Sequence, residues 1–172
     1  MIRIEMIRIE EITNMKLSSF ALLIGVIAVS MSPAASAAEP ESASEGLVGT
    51  WYTQVTIRNC QTGTALNSFP ALASFAPSGV VTDTTTGFPP LVRSPGHGSW
   101  EKTGANTYHS VSVAFLFSPT GAWTGTQKLT QTITIENNQY SSTAVNNIFD
   151  TSGTLTASGC ASATATRVEV PE

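Results

Sequence analysis

Residues capable of acid–base or metal chemistry are few and far apart in this chain of 172 residues. The two histidines are His97, in a segment rich in proline and glycine, and His109, in an alternating run of polar and apolar residues. His109 could accept a proton or contact a ligand, and His97 could take part in a ligand site. An exposed loop position for His97 and a hydrogen-bonded rim position for His109 are the simpler interpretations. No acidic residue lies at ligand spacing from either histidine, so no metal site is predicted.

The acids and serines match no catalytic pattern either. Asp83, Glu101, Glu136 and Asp150 fall near turns that separate them, so no two carboxylates are placed for acid–base work. No serine stands in a Gly-x-Ser-x-Gly setting. The sequence therefore predicts no catalytic residue and no cofactor.

The elements that must position these residues are strands. From residue 47 on, the chain is dense in Thr, Ser, Val and aromatic residues, is interrupted by Gly, Asn and Pro, and shows no sustained helical period. Short connections between the runs favour hairpins, so the prediction is an all-β, antiparallel up-and-down meander. About eight strands are expected, at 49–58, 70–76, 79–85, 98–103, 106–117, 124–136, 139–149 and 153–169.

Alternation with period two predicts which side chains face the interior. In the first strand Trp51, Val55 and Ile57 share one face, and the last strand has an Ala- and Gly-rich face that would leave room for a ligand or for close packing. Gln127 and Gln131 would orient a ligand through their amides, or pair with each other or with water. The residues expected to contact a ligand are His109, Val111, Val113, Phe115, Gln127, Leu129, Gln131 and Ile133.

The N-terminal part has the order of a secretory signal peptide. Lys16 is followed by an apolar run over 20–29 and by the small residues 35–37, and this run is too short to span a bilayer as a helix. The segment 1–14 repeats a five-residue unit, and we interpret it as an over-extended reading frame. The predicted organisation is thus 1–14 extension, 15–38 signal peptide, 39–46 flexible lead-in and 47–172 a single domain, secreted or periplasmic, with no transmembrane segment in the mature chain.

Charge and cysteine content limit the partners. The formal net charge is −4, and the five scattered cations of the mature chain cannot form a phosphate-binding stripe, which argues against nucleic acid. Cys60 and Cys160 both lie in the exported part, where a disulfide is the expected state. Nothing in the sequence indicates an oligomeric state.

The two cysteines also suggest how the sheet closes. If they are directly opposed on antiparallel neighbours, Thr53 faces Arg167, and Trp51 lies on the same side one step along. The first and last strands would then be hydrogen-bonded to each other, as an up-and-down barrel requires.

The start of the first strand and the end of the last strand resemble those of the lipocalins and their relatives in the calycin superfamily. The run GLVGTWY carries their Gly-x-Trp opening, and Arg167 resembles the arginine that packs over that tryptophan. The resemblance implies a lipocalin-like barrel in which Trp51 and Arg167 are structural and close the base, while a ligand enters at the other end. A cation–π contact between them would contribute about 1–2 kcal/mol when desolvated. The chain departs from the family in having no Thr-Asp-Tyr motif and no clear helix between its last two strands.

Three functions fit these expectations. The first is a barrel that binds a small hydrophobic molecule in its interior. The second is an isomerase- or cyclase-like enzyme with His109 as base. The third is a ligand-free β-domain that acts through its surface.

Overall fold

The computed structural model describes residues 46–170. The segments 1–14 and 15–38 and all but the last residue of 39–46 lie outside the described residues, so the expectations about them stay predictions. Within the described part, the chain is all-β and has no helix. The strands are β1 (Gly49–Arg58), β2 (Ala65–Phe75), β3 (Val80–Thr85), β4 (Gly96–Lys102), β5 (Thr107–Phe117), β6 (Trp123–Glu136), β7 (Gln139–Phe149) and β8 (Leu155–Arg167).

The sheet closes on itself as predicted. Each strand pairs antiparallel with the next, and β8 pairs antiparallel with β1, so the eight strands form a closed up-and-down barrel. We call the end at Gly49 and Arg167 the base and the end at Arg58 and Leu155 the mouth. The tight β6–β7 connection lies at the base, where Asn137 and Asn138 have φ of 48° and 61°. Both values suit a two-residue hairpin turn, which asparagine tolerates.

β2 is longer than predicted and contains a proline in its interior. β2 begins at Ala65, five positions before the predicted start, and Pro70 pairs with Gln54 inside it. The carbonyl of Pro70 accepts a hydrogen bond from Thr86 N at 3.1 Å, on the side where β3 has already ended. In a strand the N–H and C=O of one residue point the same way, so the missing N–H of proline removes no ladder hydrogen bond here.

The register between β1 and β8 is shifted by two residues from the expected one. Trp51, and not Thr53, lies opposite Arg167, and Arg58 lies opposite Cys160. The predicted disulfide between Cys60 and Cys160 is confirmed, with the two Cα atoms 5.2 Å apart. Cys60 belongs to the turn that follows β1, so the bond reaches diagonally from this turn to β8 instead of joining directly opposed residues.

The predicted orientation of β5 is wrong. Its buried residues are Tyr108, Ser110, Ser112 and Ala114. The outward set is His109, Val111, Val113, Phe115 and Phe117, of which Phe115 is 55% exposed. The more apolar face of this strand therefore lies outside. Of the inward side chains, Ser112 donates a hydrogen bond to the buried carboxylate of Asp83 on β3.

The base half of the barrel is filled by large side chains. The indole of Trp51 is fully buried and donates to the carbonyl of Leu47 at 2.9 Å. Its ring centroid lies 5.1 Å from that of Tyr140. The other members of this core are Ala73, Phe75, Val81, Tyr108, Ile133 and Ala165, with Trp100 and Ile135 packed against them. Each fully buried large side chain contributes roughly 1.5–3 kcal/mol, so this half supplies most of the apolar stabilisation.

Arg167 covers this core from below. Its guanidinium carbon lies 4.3 Å from the centroid of the Trp51 ring, so the expected cation–π contact is present. The same group donates to the carbonyls of Gly46 and Val48 and to Asn138 Oδ1. These bonds tie the segment before β1 to the β6–β7 turn, and they close the base.

The disulfide should contribute strongly to stability because it closes a separation of 100 residues. We predict that the paired change Cys60→Ser and Cys160→Ser lowers the free energy of unfolding by up to about 4–5 kcal/mol in the chain-entropy model. Urea titration followed by circular dichroism measures it. An unchanged midpoint with an unchanged slope would contradict the prediction.

Candidate functional site

The mouth half of the barrel contains a cavity that is partly open to solvent. Its volume is about 100 Å³. Five alanines line it, namely Ala71, Ala73, Ala144, Ala161 and Ala163. These residues come from β2, β7 and β8, where the register places Ala144 beside Ala161. The volume is open because the inward side chains of these strands are mostly methyl groups here, whereas aromatic rings fill the base.

The floor of the cavity is a hydroxyl pair above the aromatic core. Thr53 Oγ1 and Tyr140 Oη are 2.9 Å apart, and both side chains are buried. Burial raises the pKa of the Tyr140 phenol, and the hydrogen bond from Thr53 lowers it by less. The floor is therefore polar, and its two hydroxyls share one hydrogen bond.

A buried ion pair forms one wall of the cavity. Arg93 Nη2 lies 2.6 Å from Asp83 Oδ1, and the two side chains are 5% and 13% exposed. Ser112 Oγ donates to the other carboxylate oxygen at 2.7 Å. Arg93 Nε donates to Gln127 Oε1, and Arg93 Nη1 donates to the carbonyl of Ser94 at 3.0 Å. These bonds occupy both carboxylate oxygens and all three guanidinium nitrogens.

Glycine makes room for this ion pair. Gly96 lies directly opposite Asp83 in the β3–β4 ladder. A Cβ atom at Gly96 would overlap the Asp83 carboxylate. The absence of a side chain on β4 therefore lets the carboxylate turn toward Arg93.

Arg93 reaches the interior from the long loop 86–95 at the mouth. The loop pairs briefly with the end of β5, through an isolated bridge between Arg93 and Leu116 and a hydrogen bond from Phe117 N to Val92 O at 2.9 Å. It thereby completes the wall where β3 and β4 are too short to do so. Phe88 of the same loop lines the cavity at its mouth.

The sequence-based site is partly assembled. Gln127, Leu129 and Gln131 line the cavity as expected. Ile133 also faces inward, but it lies in the aromatic core at the base and is fully buried. His109, Val111, Val113 and Phe115 lie on the outer face of β5, so their expected contact with an interior ligand is not supported.

Several lining residues were missed by the sequence analysis. Asp83 shares the inward parity of Val81 on β3, and that parity with an apolar residue was the available signal. Arg93 was the only cation in the Pro- and Gly-rich loop, but nothing local indicates that it turns inward. Asn146 and Ser142 follow from the parity of β7 once Tyr140 is known to face in.

The chain matches no model of a known protein family and no curated protein. Within residues 46–170 there is no helix of the length and apolarity needed to cross a membrane. No cluster of three or more His, Cys, Asp or Glu side chains that could hold a metal ion occurs in the same part of the chain. The geometry of the cavity is therefore the basis for any statement about function.

The ion pair provides a test of this geometry. We predict that Arg93→Met lowers the free energy of unfolding by about 3–5 kcal/mol, because it leaves the Asp83 carboxylate buried without its partner. Adding Asp83→Leu to that variant should recover a large part of the loss. Urea unfolding of the three proteins gives the values.

Lys128→Met is the matched control, since Lys128 is an exposed cation on the outer face of β6. Its unfolding free energy should change by less than about 1 kcal/mol. A loss for Arg93→Met no larger than that of this control would contradict the role assigned to the ion pair.

Proposed function

We propose that the protein is an exported, lipocalin-like barrel that binds a small apolar molecule in the cavity at its mouth. The main support is the partly open cavity of about 100 Å³. Alanines line it, and the aromatic core closes the barrel on its base side. Concave sites with mostly apolar walls and a few fixed polar groups are the usual form of small-molecule sites.

The division of the barrel supports this proposal. Trp51 and Arg167 close the base in the arrangement that the resemblance to lipocalins implies, and the cavity lies at the opposite end. The disulfide between Cys60 and Cys160 supports export, since such bonds persist in oxidising compartments.

The size of the cavity limits the ligand. An engineered cavity of about 150 Å³ binds benzene, so about 100 Å³ suits one ring or a short chain when the mouth residues adjust. A longer molecule would insert one end and extend through the mouth.

The structure does not support the enzyme alternative, because its general base is not inside the barrel. It required His109 inside the barrel, whereas His109 lies on the outer face of β5. Asp83, an acid that lines the cavity, is bound to Arg93 and Ser112. The binding function is therefore the one that the geometry favours.

A substitution that fills the cavity tests the proposal. Gly159 shares the inward parity of Ala161 on β8, and a Cβ atom there would meet no atom within 4 Å. We predict that toluene titrated into the protein shifts the amide resonances of cavity residues such as Leu129 and Ala144, and that Gly159→Leu weakens this binding at least about tenfold. Two-dimensional ¹H–¹⁵N NMR measures both the affinity and the location.

Thr164→Leu is the matched control, because it adds the same side chain on the exposed outer face of β8. Toluene should bind to this variant as it does to the unchanged protein. Absence of any saturable shift in the unchanged protein would contradict the proposal. So would shifts confined to the outer groove around Tyr52, Leu72 and Pro89.

A further inference from the structure

One polar atom in the cavity wall has no partner. Asn146 lies on β7, directly opposite Leu129 of β6 and Gly159 of β8, and its side chain lines the cavity. Its Oδ1 is buried and forms no hydrogen bond, and within residues 46–170 it is the only buried side-chain nitrogen or oxygen atom in that state. Buried polar atoms are nearly always paired, so an unpaired one in a cavity wall indicates where a ligand atom binds.

Open space lies across the ladder from Asn146. Gly159 faces Asn146 across the β7–β8 ladder, and a Cβ atom built there would meet nothing within 4 Å. Ala144 and Ala161, the next inward pair toward the base, present only methyl groups. A ligand can therefore place its apolar part against the two alanines, and a small rotation of the Asn146 side chain brings the buried amide oxygen into contact with its polar end.

The charges of the cavity are already balanced. Asp83 and Arg93 are the only charged side chains that line it within the described part of the chain. Arg93 donates hydrogen bonds to Asp83, to Gln127 and to the carbonyl of Ser94. Asp83 accepts hydrogen bonds from Arg93 and Ser112. An anionic or cationic ligand would have to lose its hydration without gaining a counterion, which is strongly unfavourable.

Gln131 does not offer an alternative acceptor of the same kind. Its Oε1 already accepts from Ser142 Oγ at 3.4 Å. The hydroxyls of Thr53 and Tyr140 are likewise paired with each other at the floor. Among the residues 46–170, Asn146 Oδ1 is thus the buried side-chain acceptor that has no partner within the protein.

We propose that the ligand is a neutral molecule with a small apolar part and one hydroxyl group, and that this hydroxyl donates a hydrogen bond to Asn146 Oδ1. The ligand class is that of small phenols and alcohols, as distinct from carboxylic acids and amines. This inference rests on the proposed binding function and assigns the chemistry of its ligand.

Three probes of similar shape test the assignment at pH 7. Toluene has a methyl group where phenol has a hydroxyl, phenol is neutral at this pH, and benzoate carries a charge. Each is titrated into the folded protein and followed by ¹H–¹⁵N NMR. We expect phenol to bind about three- to tenfold more tightly than toluene, and benzoate to bind more weakly than both.

Variants of Asn146 locate the source of the preference. In Asn146→Leu the acceptor is replaced by an apolar group of similar size, so toluene binding should persist and the preference for phenol should disappear. Asn146→Val is a second variant, with a β-branched side chain that suits a strand. Asn147→Leu is the matched control, since Asn147 is the next residue on β7 and its Oδ1 accepts from Ser158 Oγ at 2.8 Å. Its preference for phenol should be unchanged.

The outcomes separate the two proposals. Toluene binding in the cavity without any preference for phenol would overturn the hydroxyl assignment and leave the binding function standing. Tighter binding of benzoate, or a preference for phenol that survives both Asn146 variants, would also overturn it. A preference that disappears in both Asn146 variants and persists in Asn147→Leu supports it. Failure of all three probes to bind in the cavity would overturn both proposals.

Discussion

The fixed interior of a closed eight-stranded barrel is the constraint on which this structure depends. Such a barrel encloses a width that its own inward side chains can just fill. Space for another molecule therefore arises only where those side chains are small. In this chain the large residues, Trp51, Phe75 and Tyr140, lie toward the base. Ala71, Ala144 and Ala161 of β2, β7 and β8 lie toward the mouth.

The pairing of β1 with β8 connects the filled base to the more open mouth. The ladder from Trp51 opposite Arg167 to Arg58 opposite Cys160 joins the base to the mouth along one seam. Arg167 secures the base end by its contacts with the Trp51 ring and with backbone carbonyls. The disulfide secures the mouth end, where the cavity opens. The seam thus holds the wall around a partly empty interior, which packing alone would not do.

The ion pair between Asp83 and Arg93 holds the barrel wall near β3 and β4, away from the β1–β8 seam. β3 and β4 are short, so the loop 86–95 has to complete the wall. The charged side chain of Arg93 anchors this loop without filling the cavity. Asp83 on β3 neutralises it, and Gln127 on β6 accepts a hydrogen bond from it. Ser112 faces inward because the carboxylate needs a second donor. The network therefore shapes the cavity and leaves it without free charge.

Much of the fold could be predicted from the sequence, because the evidence for it is local. Turn residues, period-two alternation and the paired cysteines led to eight antiparallel strands and a closed seam. The orientation of β5 was predicted wrongly from the apolarity of its two faces, which does not reveal that the inward Ser112 bonds to a carboxylate on a different strand. The early start of β2 was hidden by Pro70, whose tolerance depends on where β3 ends.

The cavity was predicted less completely than the barrel. Gln127, Leu129 and Gln131 followed from the clean alternation of β6, and they do line it. Arg93 could not be placed, because a loop residue has no periodic pattern to indicate its direction. Asn146 also required the three-dimensional structure, since its importance comes from a missing hydrogen bond and from the glycine opposite it.

The most direct test of the central claim is a crystal structure of the protein under xenon pressure. Xenon occupies apolar cavities of this order of size. We predict one ordered xenon atom inside the mouth half, against Ala144 and Ala161, and none in the aromatic base. A mouth half filled by its own side chains, with no xenon in it, would contradict the account.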